Sequence, residues 1–176
     1  IRIGTAPVLV VMLLSTPGKT MSLVSAAVFA VVCATDWLDG YLARKRGSVT
    51  VLGKFLDPIA DKILITTVLI MLIPLARVPA WMIAVIISRE IAVTGLRAVA
   101  SNAGLVIPAS NLGKYKTFAQ IVSLIFLLIH YEFYGVDFHL AGMVFFVAAF
   151  ILTIWSGLDY FISFFRNHSP PPERNR

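Results

Sequence analysis

An all-α integral membrane protein with six transmembrane helices is the fold class this sequence predicts, and three observations predict it. Hydrophobic residues make up 59% of the 176 and charged ones only 14%, against about 25% charged in a typical soluble domain. Mean hydropathy is +0.88. Apolar runs of helical length alternate with proline, glycine and asparagine breakers, and basic residues gather at one set of the run ends. A soluble core could not use this much apolar surface, and no long polar stretch inside the chain marks a second domain. Residues 1–166 are read as a single six-helix transmembrane domain.

The spans are expected at residues 1–14, 21–44, 53–76, 79–100, 112–131 and 139–165. The first is about 21 Å long at the helical rise, short of a hydrocarbon core of about 30 Å. The chain also opens without Met, so the natural start is expected further upstream. Pro17-Gly18 separates the first span from the second, and Gly47-Ser48 the second from the third. Pro58 falls just inside the third, where a missing N–H costs least. Pro74 and Pro79 bound the turn to the fourth span. Asn102, Gly104 and Pro108 bound the turn to the fifth, and Gly135 marks the turn to the sixth. Residues 167–176 include three consecutive prolines and are otherwise polar, so they are expected to form a disordered tail. The single cysteine, Cys33, excludes a disulfide framework and a cysteine metal site.

Six spans put both termini on one side. Arg2, Arg44, Lys45, Arg46, Lys54, Lys62, Arg97, Lys114, Lys116, Arg166, Arg174 and Arg176 fall at or near one face, and Lys19 and Arg77 at the other. The positive-inside rule makes the crowded face cytoplasmic. Trp81, Tyr131 and Tyr134 lie near span ends and read as interfacial anchors. His130 and His139 flank the far loop and are not expected to bind metal.

Asp36, Asp39, Asp57 and Asp61 stand in the spacing D-x2-D-G-x2-A-R-x8-G-x3-D-x3-D across the second and third spans. Asp36, Asp39, Gly40, Ala43 and Arg44 share one helical stripe, and Gly53, Asp57 and Asp61 recur every four residues on the next helix. Two carboxylate stripes can thus face each other across a cleft. One charge at membrane depth costs roughly 2.5–3.5 kcal/mol, and like charges on neighbouring turns oppose each other's ionisation, so the four acids call for cations. An all-oxygen donor set favours Mg²⁺ or Mn²⁺. Two such ions would clamp a phosphoryl group, and Arg44, one turn beyond, suits a diphosphate. Gly40, Ala43 and Gly53 either let the helices approach or make room for a flat ligand. A divalent-cation transporter would also explain intramembrane acids, though it would need neither Gly53 nor Arg44.

All eight fixed positions match the signature of the CDP-alcohol phosphotransferases, which the chain resembles. Ala34-Thr35-Asp36-Trp37-Leu38-Asp39-Gly40, Phe55-Leu56-Asp57-Pro58-Ile59-Ala60-Asp61-Lys62, Arg89-Glu90-Ile91, Gly113-Lys114-Tyr115-Lys116-Thr117 and Leu152-Thr153-Ile154-Trp155-Ser156 are similar to the family's bacterial phosphatidylglycerophosphate synthases. The family's polar lead-in before the first helix is missing, leaving only Arg2. The resemblance implies the six-helix fold of that family, with two Mg²⁺ or Mn²⁺ ions on the four aspartates and Asp61 also acting as general base. It implies CDP-diacylglycerol at Asp39, Gly40, Ala43, Arg44 and Gly53, and glycerol 3-phosphate as acceptor. Cationic ligands for the acceptor phosphate are then expected at Arg89, Arg97, Lys114 and Lys116, with Glu90 or an aspartate as the alternative structural partner of Arg89. Inositol phosphate or phosphatidylglycerol remains the alternative acceptor. The resemblance also implies a bacterial inner membrane with the site facing the cytoplasm, membrane lipid as a partner, pairing as a homodimer, and no nucleic acid.

Overall fold

Among the residues that the computed structural model describes (2–14, 16–46, 51–102, 111–133 and 135–168), six helices carry the chain. They are α1 (Arg2–Leu13), α2 (Lys19–Arg46), α3 (Val51–Met71), α4 (Ala80–Asn102), α5 (Asn111–Ile129) and α6 (Phe138–His168). Each expected span therefore forms a helix, with ends displaced by a few residues. The largest displacement is at α3, which stops at Met71 instead of 76. Pro74 lacks an N–H and its ring would clash with the carbonyl of the preceding turn. The chain instead closes through Ala76 N–H to the Ile73 carbonyl (2.9 Å) and Arg77 N–H to the Leu72 carbonyl (3.1 Å). Ala76 takes a left-handed φ of 53° to do so, a helix-ending position that glycine usually fills.

The all-α expectation needs one small correction. Strands β1 (Glu132–Phe133) and β2 (Val136–Asp137) pair antiparallel between α5 and α6, with Glu132 opposite Asp137 and Phe133 opposite Val136. Gly135, at φ 76°, supplies the left-handed turn residue. The sixth helix runs to His168, past the boundary expected at 166, and residues 169–176 lie outside the described residues.

Apolar side chains lie both inside and outside the bundle. Leu9, Phe29, Val68, Leu69, Ile83, Leu124, Leu127 and Phe146 are fully or almost fully buried. Val11, Val31, Ile91, Val144 and Ile162 are each more than 60% exposed, as on helices that are hydrophobic all round. By length and composition, Lys19–Leu42 and Phe138–Phe164 could each cross a bilayer, and Ile3–Leu13 and Tyr115–Ile129 are apolar but shorter. The packing centres on α5, which lies along α6 and also meets α2; α1 packs on α3 and α2, and α4 on α6. Gly142 permits the close α5–α6 approach, since a Cβ there would stand 2.9 Å from Leu127 Cγ and 3.0 Å from its backbone nitrogen.

One end of the bundle is tied by Arg77, which is buried. Its Nη1 donates to the carbonyls of Leu127 (3.0 Å) and Leu128 (2.7 Å), and its Nη2 to Ser22 Oγ (3.1 Å). Terminal carbonyls of α5, which lack helical partners, are thus satisfied by a cation where the helix dipole favours one. Burial lowers the guanidinium pKa from its ordinary value, but an arginine remains charged. Tyr131 Oη donates to the Pro17 carbonyl (2.9 Å) and closes the same end. With these ends fixed, the opposite ends of α2 to α5 surround a cavity.

Candidate active site

Cys33, Asp36 and Trp37 of α2 form one wall of that cavity, and Asp61, Lys62 and Ile65 of α3 a second. Ile86, Ile87 and Glu90 of α4 and Lys116, Thr117 and Gln120 of α5 complete it, around a volume of about 370 Å³. Among the described residues α2 and α3 make no extended contact with each other; they face each other across this space. Asp36 and Asp61, 25 positions apart (61 − 36), therefore meet on one cavity, as the two-stripe reading requires. Asp39 is exposed one turn beyond Asp36, and Gly40 beside it is half-buried. The side chains of Ala43, Arg44, Gly53 and Asp57 lie outside the described residues.

The cations divide differently from the expectation. Lys116 is buried on the cavity wall. Arg89, its expected companion, lines the cleft between α4 and α6 with Ala92, Ile154, Gly157 and Phe161. Its Nη2 donates to Ser156 Oγ (2.7 Å) and its Nη1 to Glu90 Oε1 (2.9 Å). Among the described residues its buried Nε has no acceptor. Gly157 makes room for this side chain, because a Cβ there would stand 2.8 Å from Arg89 Nε. Arg97 is exposed, with its guanidinium 5.6 Å from the centroid of the Tyr160 ring. The Lys114 side chain lies outside the described residues.

Glu90 joins these groups. Its Oε1 accepts from Arg89 Nη1 and from Lys116 Nζ, so one carboxylate oxygen holds cations from two helices. Its backbone carbonyl accepts from Thr94 Oγ1 (2.6 Å), and that hydroxyl oxygen accepts from Lys62 Nζ. The Arg89–Glu90 pairing was among the sequence alternatives; the reach of Glu90 to Lys116, 26 residues away, was not. Gln120 was not assigned to the site from the sequence. Yet Lys116, Gln120 and Ser123 recur at four and three residues along α5, and all are buried. Lys116 and Gln120, one turn apart on an apolar helix, are the part of that stripe that marks the cavity wall, whereas Ser123 donates to the Gly142 carbonyl of α6.

Trp37, 70% exposed, stands at the edge of the cavity with its ring stacked on that of Tyr41 (centroids 6.1 Å apart, planes at 15°). The cavity thus has two acids on α2 and α3, a cationic side on α3 and α5 with Glu90 behind it, and an aromatic edge. The oxygen-only acids fit a hard divalent ion in kind. Among the described residues, no three His, Cys, Asp or Glu side chains form a cluster that would hold one, and Asp57 lies outside that set.

The chain matches the family model for CDP-alcohol phosphatidyltransferase over residues 1–155. It is 50% identical over 140 residues to a Bacillus subtilis protein named CDP-diacylglycerol–glycerol-3-phosphate 3-phosphatidyltransferase, covering 79% of this chain and 72% of the relative. A Mycobacterium tuberculosis protein named probable phosphatidylglycerophosphate synthase is 46% identical over 138 residues, covering 78% and 64%. A Rickettsia bellii protein with the same name as the Bacillus one is 36% identical over 162 residues, covering 91% and 88%. A signature two of whose acids, Asp36 and Asp61, line one cavity and a family match over residues 1–155 agree: the chain belongs to the CDP-alcohol phosphatidyltransferase family.

Proposed function

We propose that this chain transfers the phosphatidyl group of CDP-diacylglycerol to glycerol 3-phosphate, giving phosphatidylglycerol phosphate and CMP. The observation that carries the reading is the meeting of Asp36 and Asp61 on one cavity whose other wall holds Lys116. The names of the Bacillus and Rickettsia relatives specify the same donor and acceptor.

In this reading the six helices span the membrane, with exposed apolar faces such as those of Val31 and Ile91 in lipid. The cavity opens toward the cytoplasmic face of a bacterial inner membrane, as the distribution of basic residues supports. Asp36, Asp39, Asp57 and Asp61 would hold two Mg²⁺ or Mn²⁺ ions. Such ions, when bound, supply charge neutralisation at the transferred phosphoryl group. The CDP portion lies along Asp39, Gly40, Ala43, Arg44 and Gly53, where small residues leave space and Arg44 forks onto phosphate. The acyl chains remain in lipid.

Asp61 takes the proton of the acceptor 1-hydroxyl. The hydroxyl oxygen forms a bond to the lipid-bearing phosphorus as the bond from that phosphorus to the CMP oxygen breaks. Lys116 holds the acceptor phosphate from the cavity wall, with Lys114 and Arg97 toward the cytoplasmic mouth. Arg89 acts from behind, through Glu90. Holding both substrates in one cleft removes much of the entropic part of the barrier.

The test is CMP release from CDP-diacylglycerol by the purified chain in detergent with Mg²⁺, with glycerol 3-phosphate, inositol phosphate, phosphatidylglycerol or no acceptor. Release that requires glycerol 3-phosphate is expected. Release with a different acceptor would move the substrate, and no release with any would overturn the reading.

A further inference from the structure

We infer that Gln120 is a specificity residue that binds the 2-hydroxyl of the acceptor and so sets which phosphorylated alcohol the cavity takes. The inference deepens the proposed reading of the cavity as the site of phosphatidyl transfer, and rests on it. Gln120 is buried on α5 and lines the same space of about 370 Å³ as Asp61 and Lys116. A glutamine in an apolar bundle commonly bonds across to a neighbouring helix. Among the described residues the Gln120 amide makes no such bond, nor any other. A buried amide without a partner is costly, and on this wall the partner has to come from what the cavity holds.

The position of Gln120 selects that partner. It follows Lys116 by four residues (120 − 116), so the two side chains rise from one face of α5 about 6 Å apart along the helix axis. Lys116 is pinned on Glu90 and, with three N–H donors, still has protons for the acceptor phosphate. The spacing suits an extended three-carbon alcohol phosphate, whose hydroxyls lie about one helical turn from its phosphate. With the phosphate at Lys116 and the 1-hydroxyl at Asp61, the 2-hydroxyl is the polar group of glycerol 3-phosphate still to be bound. An amide both donates and accepts, as a hydroxyl does. A carboxylate at this point would compete with the phosphate for Lys116, and a cation would pair with the acids; a neutral amide does neither.

The test compares glycerol 3-phosphate with 3-hydroxypropyl phosphate, which keeps the phosphate and the attacking primary hydroxyl and lacks the 2-hydroxyl. CMP release from CDP-diacylglycerol by the purified chain in detergent with Mg²⁺ gives kcat/KM for each acceptor. A site built to bond a substrate hydroxyl leaves its own polar group unpaired when that hydroxyl is missing, so the wild type should favour glycerol 3-phosphate by about 10- to 100-fold. Gln120→Met, apolar and of similar size, should lose most of that factor on glycerol 3-phosphate and far less on the analogue, leaving a preference of about threefold or less. Gln120→Asn keeps an amide but withdraws it by one methylene. It should lose most of the preference too, and decides the matter if Gln120→Met does not fold.

An equal loss on both acceptors, as damaged packing would give, would overturn the inference. So would a preference that survives the substitutions, or a wild type that uses the two acceptors equally well. Wild-type CMP release that does not depend on glycerol 3-phosphate would instead overturn the functional reading, and the inference with it.

Discussion

Arg89 on α4 lies against Gly157 on α6 so closely that a Cβ at Gly157 would stand 2.8 Å from its Nε and 3.0 Å from its Cγ. The guanidinium is held at both ends, by Glu90 and Ser156, so the side chain has little freedom to move aside. Two neighbours in sequence, Ser156 and Gly157, thus provide the acceptor and the space that route an arginine between two helices.

The three glycines of α4 and α6 should respond to alanine in a graded way. Gly142→Ala drives a methyl into the backbone of Leu127 and is expected to cost about 2–3 kcal/mol. Gly157→Ala meets a side chain and should cost about 1 kcal/mol after the gain in helix propensity. Gly95 has nothing within 4 Å, and Gly95→Ala should stabilise by about 0.5–1 kcal/mol. Thermal unfolding in detergent gives the order.

Arg77→Met removes the donors to the Leu127 and Leu128 carbonyls and to Ser22. Because a charged hydrogen bond contributes about 1.5–3 kcal/mol and buried acceptors are left unpaired, a loss of about 3 kcal/mol is expected. Arg77→Lys should recover only part, since an ammonium cannot span the same fork. Denaturant unfolding of the two variants measures the difference, and equal stability would contradict the assigned role.

Asp61→Asn should lower turnover by at least about 100-fold, the lower end of what a general base contributes. An amide oxygen can still meet a metal, so Mn²⁺ binding should fall far less than turnover. Single-turnover CMP release together with Mn²⁺ titration separates the two effects. Near-normal turnover would remove Asp61 from the proton-transfer step.

Lys116 and Arg97 should differ as acceptor ligands. Lys116 is buried on the cavity wall, whereas Arg97 is exposed beside Tyr160. Lys116→Met should raise the KM for glycerol 3-phosphate about 10- to 100-fold, the equivalent of one charged hydrogen bond, with little change in the KM for CDP-diacylglycerol. Arg97→Met should change it only a few-fold, because an exposed charge is screened. Steady-state kinetics in both substrates decide between them.

Helix number and order were legible from apolar runs and breakers because a helix of this kind satisfies its own backbone and depends little on distant contacts. The early end of α3 was less legible. Pro74 signals a stop, but where the chain turns depends on Ala76 accepting a left-handed φ and on Arg77 finding α5. Asp36 and Asp61 could be assigned to one cavity because their periodicities put them on stripes of two helices that follow each other closely in sequence. The cations could not be sorted that way. Arg89 and Lys116 are both basic residues on apolar helices, and only packing sends one to the α4–α6 cleft and the other to the cavity.

By itself the sequence determined the helices, their apolar character and the spacing of the four signature aspartates, because each is a matter of local pattern. Tertiary structure alone decided that Glu90 holds Lys116 across 26 residues and that Arg89 reaches Ser156 on α6. A charge placed in an apolar bundle takes whatever partner the packing brings within reach, and for Lys116 at Glu90 and Arg89 at Ser156 that partner is set by how α4, α5 and α6 meet.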